Sequence, residues 1–478
     1  ERSFKLHCCS KLRDFVFKYE DLLGKEIWDV LDEEIQQDPG AFLSAINSYA
    51  SRKGNLPIYL LIDEYDNFTN TILSTYGTEY YQKATHGEGF VRGFFNVIKA
   101  ATTGTGSALQ RMFITGVSPV TMDDVTSGFN IGTNITTDPW FNDLVGFSEA
   151  ELREMLTYYK EQGVLMQTVD ETIVMMKPNY DNYCFSEEKL AQCMFNSDMA
   201  LYFMKSFVLH HVKPKEIVDP NIRTDFNKLA YLIRLDHGLG ENFSVIKEIA
   251  EQGEITTDIA THFSALEMTD VRNFKSLLFY FGLLSIKGVD MVGRPILHVP
   301  NLVVREQLFS FLIRGYIKHD IFKIDMNRMT MLFENMAFRG DWKPLFNFIA
   351  EAIREQSRIR EYIEGEAHIK GFLLAYLGMY RYYQLYPEYE LNKGFADFLF
   401  KPSPSVPVMP PLTYLLEVKY AKAGTSEKEI RALADEAREQ LLRYSQDELV
   451  AEAKAKGGLK LITIVWCSWE LVLLEEVL

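Results

Sequence analysis

The sequence predicts a multidomain α/β protein, and three observations lead to that prediction. The chain has 478 residues, more than one core of ordinary size accommodates. In the first third, apolar runs that end in acids alternate with segments of helical spacing, which is typical of parallel strands joined by helices. A similar alternation returns after about residue 360, whereas the middle of the chain is mostly helical in pattern.

Composition excludes several classes of protein. The formal net charge of -16 argues against broad affinity for nucleic acid, unless a basic patch or a metal ion offsets phosphate repulsion. Five cysteines without a CxxC pair predict a reducing, cytoplasmic setting rather than disulfides or a zinc site. No apolar run is long enough to span a membrane, so we expect no membrane partner. The chain begins at Glu1 rather than Met, and we expect its true start to lie upstream.

Changes in pattern divide the chain into four predicted parts. They are an α/β part, a helical part with a winged helix, a helical connector and a second α/β part, at residues 1–147, 148–320, 321–359 and 360–478. The helical part opens with Ser148 three residues before Glu151, the spacing of a capping box. The stretch that begins at Ile255 has the pattern helix, helix, strand, tight loop, strand, which suits a winged helix.

Acidic residues directly follow a buried strand in the N-terminal part. The run PIYLLIDEYDN contains Asp63 and Glu64, and the later run RMFITGVSPV contains Thr115. Because ligands bind at the carboxyl ends of strands in open α/β sheets, we expect Asp63 and Glu64 at the end of a central parallel strand, beside the strand that holds Thr115. The alternative is that these acids only mark a solvated strand end.

Two opposite charges interrupt an apolar strand in the C-terminal part. In YLLEVKY, Glu417 and Lys419 point to the same face because side chains alternate along a strand. A preceding strand, GFADFLF, carries Asp397 and is separated from YLLEVKY by a proline-rich loop. A hairpin would bring Asp397 beside Glu417, where the two carboxylates could hold Mg²⁺ (or Mn²⁺) while Lys419 orients the attacking water. The alternative is a half-buried structural ion pair.

This arrangement resembles the PD-(D/E)XK nuclease superfamily. The resemblance implies that Asp397 and Glu417 are metal ligands and that Lys419 is catalytic. It also implies an additional acid on a leading helix, for which Glu366 fits, and a further acid at Glu390.

Two further spacings support the resemblance, and two positions depart from it. Glu390, Gly394 and Asp397 follow the pattern E-x-x-x-G-x-x-D, and Gln440 with Tyr444 matches a recurrent Gln-x-x-x-Tyr on the next helix. The usual proline before the first acid is replaced by Ala396, and an arginine often found after the glycine is replaced by Phe395.

The N-terminal part resembles the bacterial AAA-ATPase-like family of Bacteroides-type genomes, which is often fused to such a nuclease domain. The resemblance implies that Asp63 holds Mg²⁺, that Glu64 activates water and that Thr115 is a polar sensor. The fold is then a P-loop NTPase-like parallel sheet that is incomplete. A phosphate loop G-x-x-x-x-G-K-[ST] is missing, because the Gly-Lys pair at Gly24 has neither an earlier glycine nor a following Ser or Thr. Two explanations remain open, an N-terminal truncation or a lineage that lost ATP binding, and we expect ATP binding only in a chain that has this loop upstream.

Three functions remain open at this stage. The first is a Mg²⁺-dependent nuclease coupled to an ATPase-type regulatory module, with a role in defence or mobile-element control. The second is a non-catalytic nucleotide-dependent switch or scaffold with a vestigial nuclease fold, and the third is a DNA-binding regulator. The expected partners are nucleic acid, DNA in the first place, and further copies of the chain.

Overall fold

The positions of helices and strands come from a computed structural model. It describes residues 1–54, 56–103, 106–125, 132–210, 214, 241–318, 323–356, 363, 365–391, 394–403, 406, 408–455 and 458–477. The described helices are α1 (Arg2–Lys18), α2 (Glu20–Leu23), α3 (Pro39–Arg52), α4 (Asn67–Tyr76), α5 (Thr78–Thr85), α6 (Phe90–Thr103), α7 (Val120–Val125), α8 (Glu149–Glu161), α9 (Val169–Tyr180), α10 (Ser197–His210), α11 (Glu241–Gln252), α12 (Val271–Tyr280), α13 (Leu302–Lys318), α14 (Met326–Arg339), α15 (Lys343–Glu355), α16 (Glu366–Leu377), α17 (Glu427–Tyr444) and α18 (Glu448–Ala455). The described strands are β1 (Ile58–Ile62), β2 (Leu109–Ile114), β3 (Glu254–Thr256), β4 (Ser285–Val289), β5 (Pro295–His298), β6 (Tyr383–Leu391), β7 (Gly394–Pro402), β8 (Thr413–Ala421), β9 (Leu459–Cys467) and β10 (Glu470–Glu476).

The described residues form two compact units. The first contains Glu1–Asp138 and Asp258–Gly282, and the second contains the described parts of Pro139–Phe226, Ile233–Thr257 and Leu283–Leu478. The predicted multidomain α/β class is confirmed. The division into four parts stays a prediction. No described helix is long and apolar enough to cross a membrane.

In the first unit, β1 and β2 form a parallel pair whose last partners are Ile62 and Ile114. The apolar side chains of β1, β2, α1, α3 and α6 make its core, in which Val16, Ile27 and Phe42 have no exposed surface. Beyond the strand, the Thr115 N–H donates to the carbonyl of Ile62 at 2.8 Å and the Tyr65 N–H donates to the carbonyl of Thr115 at 3.0 Å, and the chain then enters α4. The predicted parallel strand that ends at Asp63 is thereby confirmed.

The middle of the chain differs in one element from the sequence prediction. The first of the two helices predicted after Ile255 is wrong, because that stretch forms β3, a turn and a short 3-10 helix at Ala265–Glu267. The β-branched residues Ile255 and Thr256 follow Gly253, which has a φ of +76°, and both features favour a strand after a sharp turn. The predicted capping box is confirmed, since the Ser148 hydroxyl accepts from the Glu151 N–H at 3.2 Å.

Cys184 and Cys193 face each other across a short antiparallel bridge. Tyr183 and Met194 exchange backbone hydrogen bonds of 3.1 and 2.7 Å, so the next pair is Cys184 with Cys193 at the close, non-hydrogen-bonded spacing. A hydrogen bond between the two thiols lowers the pKa of Cys184 to about 7. Both cysteines are free thiols.

We expect oxidised glutathione to join Cys184 and Cys193, because this spacing matches disulfide geometry. Each disulfide bond formed releases two glutathione thiols, and peptide mapping under non-reducing conditions would identify the Cys184–Cys193 peptide. In Cys184→Ser, Cys193 should instead stop at a mixed disulfide with glutathione. If Cys184 and Cys193 could both still be alkylated after oxidation of the wild type, the expectation would be contradicted.

The C-terminal sheet has the strand order β10-β9-β8-β7-β6. All neighbours are antiparallel except β8 and β9, which run parallel because α17 carries the chain across between them. Along the chain the order is therefore helix α16, three strands, the two helices α17 and α18, and the two strands β9 and β10. The strand β10 pairs with β9 and forms one edge of the sheet. It begins at Glu470, after a turn in which Ser468 has a φ of +54°.

Candidate active site

The two predicted acids meet where the β7–β8 ladder ends. The last paired residues are Phe398 and Leu416, and the same register places Asp397 opposite Glu417. There the Val418 N–H donates to Oδ2 of Asp397 at 2.6 Å. The Asp397 side chain thus takes the place of the backbone carbonyl that would accept the next hydrogen bond between the two strands. The strands thus bring two buried carboxylates to one place in the sheet.

Lys419 lies on the same face as Glu417, as the alternation of the strand predicts. Its Nζ is 3.1 Å from Oε1 of Glu417 and 3.7 Å from Oε1 of Glu436 on α17. Glu417 is only 2% exposed, and its Oε2 has no hydrogen-bond partner among the residues that the structure describes. A buried carboxylate oxygen without a partner is costly, and such an atom calls for a cation, a water or another donor.

Lys370 is the centre of a second set of ion pairs that the sequence analysis missed. Its Nζ contacts Oδ1 of Asp397 and lies 2.9 Å from Oε1 of Glu366 and 3.1 Å from Oε1 of Glu388. Glu366 and Lys370 are four apart on α16, so the helix presents both toward β7. The predicted additional acid, Glu366, therefore reaches Asp397 through Lys370.

Glu388, rather than the predicted Glu390, is the acid of β6 nearest to Asp397. Leu391 pairs with Gly394, and counting along this register places Glu388 opposite Asp397. Glu388 has a φ of +43°, which is unusual for a residue within a strand. Glu390 is exposed and makes no ion pair with the part of the chain that is described. The register could have been counted from the sequence if the hairpin turn had been located first.

Burial and a neighbouring carboxylate shift the pKa value of each central acid upward, with Glu388 acting on Asp397 and Asp397 acting on Glu417. Burial raises the pKa of Asp397 to about 6, against the lowering effects of Lys370 and the Val418 N–H. Burial, together with the charge of Asp397, raises the pKa of Glu417 to about 7, against the lowering effect of Lys419. Burial opposes charging of both lysines, but the adjacent carboxylates outweigh it, so the pKa values of Lys370 and Lys419 are raised.

The raised pKa of Glu417 predicts how stability depends on pH when a chelator keeps divalent ions away. The folded protein binds the Glu417 proton more tightly than the unfolded chain, whose pKa is near the ordinary 4.5. The contribution of this group to the free energy of unfolding therefore falls as the pH rises from 4.5 to about 7. Glu417→Gln has no such proton, so its stability relative to the wild type should rise through this window and level off above it. Calorimetric melts from about pH 5 to about pH 8 would measure this, and a difference independent of pH would contradict it.

The predicted Gln440 and Tyr444 lie on α17, which packs on β8 and β9. Oε1 of Gln440 is buried without a partner, as is Oγ1 of Thr463, the register partner of Glu417 on β9. Tyr444 explains the glycine of the motif, because a Cβ on Gly394 would lie 2.6 Å from the Tyr444 hydroxyl. The structure thus gives Tyr444 a packing role, while the role of Gln440 stays a prediction.

The donor set at this place fits a hard divalent cation. Asp397 and Glu417 supply carboxylate oxygens, which Mg²⁺ prefers, and Oε2 of Glu417 lacks any other partner. Among the described residues, no group of three or more His, Cys, Asp and Glu side chains is arranged to hold a metal ion. A cation here would therefore be held by two side chains together with water or substrate oxygens, which is usual for Mg²⁺.

The N-terminal residues Asp63, Glu64 and Thr115 also lie together. The Thr115 hydroxyl donates to Oδ1 of Asp63, and the Glu64 N–H donates to the Thr115 hydroxyl at 3.3 Å. Both acids are exposed, and Glu64 has a φ of +52°. The sequence analysis missed Asp66, a fully buried acid that accepts from the N–H groups of Val117 and Ser118 at 3.0 and 3.2 Å. Asp66 fixes the end of β1 to the loop after β2, so it is structural.

Comparison with known proteins assigns both ends of the chain. Residues 364–476 match the PD-(D/E)XK nuclease superfamily, and residues 1–126 match a family described as predicted AAA-ATPase. No curated protein and no solved structure matches the chain. Nucleases of this superfamily generally use divalent metal ions, and their substrates are nucleic acids.

Proposed function

Because the chain carries a predicted AAA-ATPase domain at residues 1–126 and a PD-(D/E)XK nuclease domain at residues 364–476, we propose that it is a Mg²⁺-dependent nuclease controlled by an ATPase-type module. Mn²⁺ is expected to support the same cleavage when it is supplied in place of Mg²⁺. Asp397 and Glu417 are the proposed metal ligands, and Lys419 is the proposed catalytic lysine. Defence against foreign DNA, or control of mobile elements, is the biological role that this pairing suggests.

One observation carries the proposal. Asp397 and Glu417 face each other at the end of a ladder, Lys419 is 3.1 Å from one oxygen of Glu417, and the other oxygen is unpartnered. A bound divalent cation would supply Lewis-acid stabilisation of the phosphate and a more acidic water. Asp397 and Glu417 would hold that cation, and the Lys419 ammonium could position the attacking water or stabilise charge that develops on the phosphate.

DNA is the proposed substrate, and the middle of the chain supports this choice. In the second unit, α11 is followed by β3, and β3 forms one antiparallel sheet with the β4–β5 hairpin, which is compatible with the wing of a winged helix. The proposed homo-oligomer rests only on analogy with ATPases of the N-terminal type.

The proposed role of the N-terminal module is to bind ATP when a phosphate loop is present upstream. Asp63 would then act on Mg²⁺, Glu64 on water and Thr115 as a sensor, which agrees with their position at the carboxyl ends of β1 and β2. Calorimetry with ATP on a chain that includes the upstream segment tests this role, and the absence of heat with that chain would favour a lineage that lost ATP binding.

The nuclease proposal is tested by cleavage assays on single- and double-stranded DNA and RNA. We expect cleavage with Mg²⁺ or Mn²⁺ and none with a chelator. DNA should be cut in preference to RNA. Binding of nucleic acid without cleavage under every metal condition would instead favour the non-catalytic switch or scaffold.

A further inference from the structure

Lys370 contacts Oδ1 of Asp397, the oxygen of this proposed metal ligand that does not accept the Val418 N–H. We propose that Lys370 is a built-in counter-cation that competes with the divalent ion for Oδ1 of Asp397 and must withdraw before the ion binds. This inference rests on the proposed function and adds to it a regulation of the metal site.

Both carboxylate oxygens of Asp397 already contact a partner. Oδ2 accepts the Val418 N–H at 2.6 Å, and Oδ1 contacts Nζ of Lys370. Asp397 is 4% exposed, so water has little access to either oxygen. A cation that approaches Asp397 is repelled by the Lys370 ammonium at the same oxygen. Binding of the ion and contact with Lys370 are therefore in competition.

Glu417 does not impose the same competition. Lys419 contacts only its Oε1, whereas Oε2 has no hydrogen-bond partner. A divalent ion can approach Oε2 without breaking the Lys419 contact. The two lysines of the site thus differ, because Lys419 is compatible with a bound ion and Lys370 must move.

Lys370 has partners that would hold it after withdrawal. Glu366 and Glu388 also contact its Nζ, and their side chains are 38% and 48% exposed. The ammonium can leave Asp397 and keep these two carboxylates, so a small displacement of a flexible side chain is enough. Water can reach this side of the cluster and solvate the charge that moves.

The helix α11 packs on α16 beside Lys370. A Cβ on Gly371 would lie 2.8 Å from Cε of Lys247 and 2.9 Å from Oε1 of Glu251. Lys247 and Glu251 are 3.8 Å apart and place one more pair of opposite charges beside α16. Within the part of the chain that is described, the carboxylates that contact the Lys370 ammonium besides Asp397 are the partly exposed Glu366 and Glu388.

The test compares Mg²⁺ affinity by calorimetry in full-length wild type, Lys370→Met and Lys370→Arg, without nucleic acid. Lys370→Met should bind Mg²⁺ about tenfold more tightly or better, since a neighbouring charge shifts proton affinity of a carboxyl by roughly 1 to 3 pKa units. Lys370→Arg keeps the charge and should not show the gain. Lys428→Met, which removes an exposed lysine of α17, should bind as the wild type does. If Lys370 were purely structural, the Lys370→Met variant would bind Mg²⁺ as the wild type does or more weakly.

A second measurement needs no variant. Mg²⁺ should raise the rate at which an amine-reactive acetylating reagent labels Lys370 in the wild type, read by peptide mass spectrometry, while the rate at Lys428 stays constant. Unchanged or slower labelling of Lys370 in Mg²⁺, or equal affinities of the wild type and Lys370→Met, would overturn the inference and leave the nuclease proposal standing. Failure of every variant to bind Mg²⁺ or Mn²⁺ and to cleave would overturn both.

Discussion

Asp397→Asn is expected to remove both divalent-ion binding and nucleic-acid cleavage while leaving the sheet folded. Asn is preferred to Ala because its amide oxygen can still accept the Val418 N–H, which donates to Asp397 at 2.6 Å. Ala would leave that buried N–H without a partner and destabilise the fold, so a loss of cleavage could not be assigned to catalysis. The cleavage rate should fall by roughly a factor of 10³ or more, because Lewis-acid stabilisation is worth several kcal/mol and about 1.4 kcal/mol is tenfold in rate.

The Asp397→Asn experiment has an internal check in the neighbouring acid. Asp397 is one cause of the raised pKa of Glu417, so that pKa should fall in the variant. Relative to the wild type in chelator, the stability of this variant should also rise as the pH increases from 3.8 to about 6, because burial raises the pKa of Asp397 and Asn carries no such proton. Asp435→Asn, on the exposed side of α17, is the matched control and should cleave normally. Cleavage by Asp397→Asn within tenfold of the wild type would exclude Asp397 as a metal ligand.

The local part of the C-terminal site could be predicted from the sequence. Asp397, Glu417 and Lys419 lie on two consecutive strands, and alternation with a loop of known length fixes which side chains share a face. The position of Asp63 beside Thr115 was predictable for a similar reason, because parallel strands end at one edge of the sheet.

The remaining members of the site depend on packing that the sequence does not encode locally. Lys370 lies four residues after Glu366, but this spacing is also that of an ordinary solvated ion pair, and only the docking of α16 brings it to Asp397. Glu388 and Glu390 are two residues apart, so alternation alone cannot separate them. The choice depends on the register set by Leu391 and Gly394 and on the positive φ of Glu388.

The sequence alone leaves open whether Glu470 breaks an apolar segment or begins a further strand, which in the structure is β10. In the structure the glutamate is exposed at the start of an edge strand, where a charged side chain is favourable and discourages pairing with another sheet. A charged residue at this position can therefore either interrupt an apolar segment or begin an edge strand. The turn at Ser468 decides for the edge strand.

Lys419→Ala is expected to abolish cleavage but keep Mg²⁺ binding, in contrast to Asp397→Asn. The ammonium of Lys419 contacts Oε1 of Glu417 and leaves Oε2 to a metal ion, so its removal takes no ligand away. The site also becomes more negative, which favours a cation. The rate should fall by about 10² to 10³, the usual loss for one group that stabilises developing charge.

The Lys419→Ala experiment can be interpreted only at a pH at which Glu417 is ionised. Lys419 lowers the pKa of Glu417, so its loss moves that pKa above about 7. At neutral pH the variant would then lose metal because Glu417 is protonated, and calorimetry and cleavage should therefore be measured near pH 9, roughly two units higher. Lys422→Ala, an exposed lysine just beyond β8, is the matched control and should cleave as the wild type does. If Lys419→Ala cleaves normally near pH 9, Lys419 belongs to a structural ion pair; if it binds no Mg²⁺ there, its contact with Glu417 positions the ligand rather than the water.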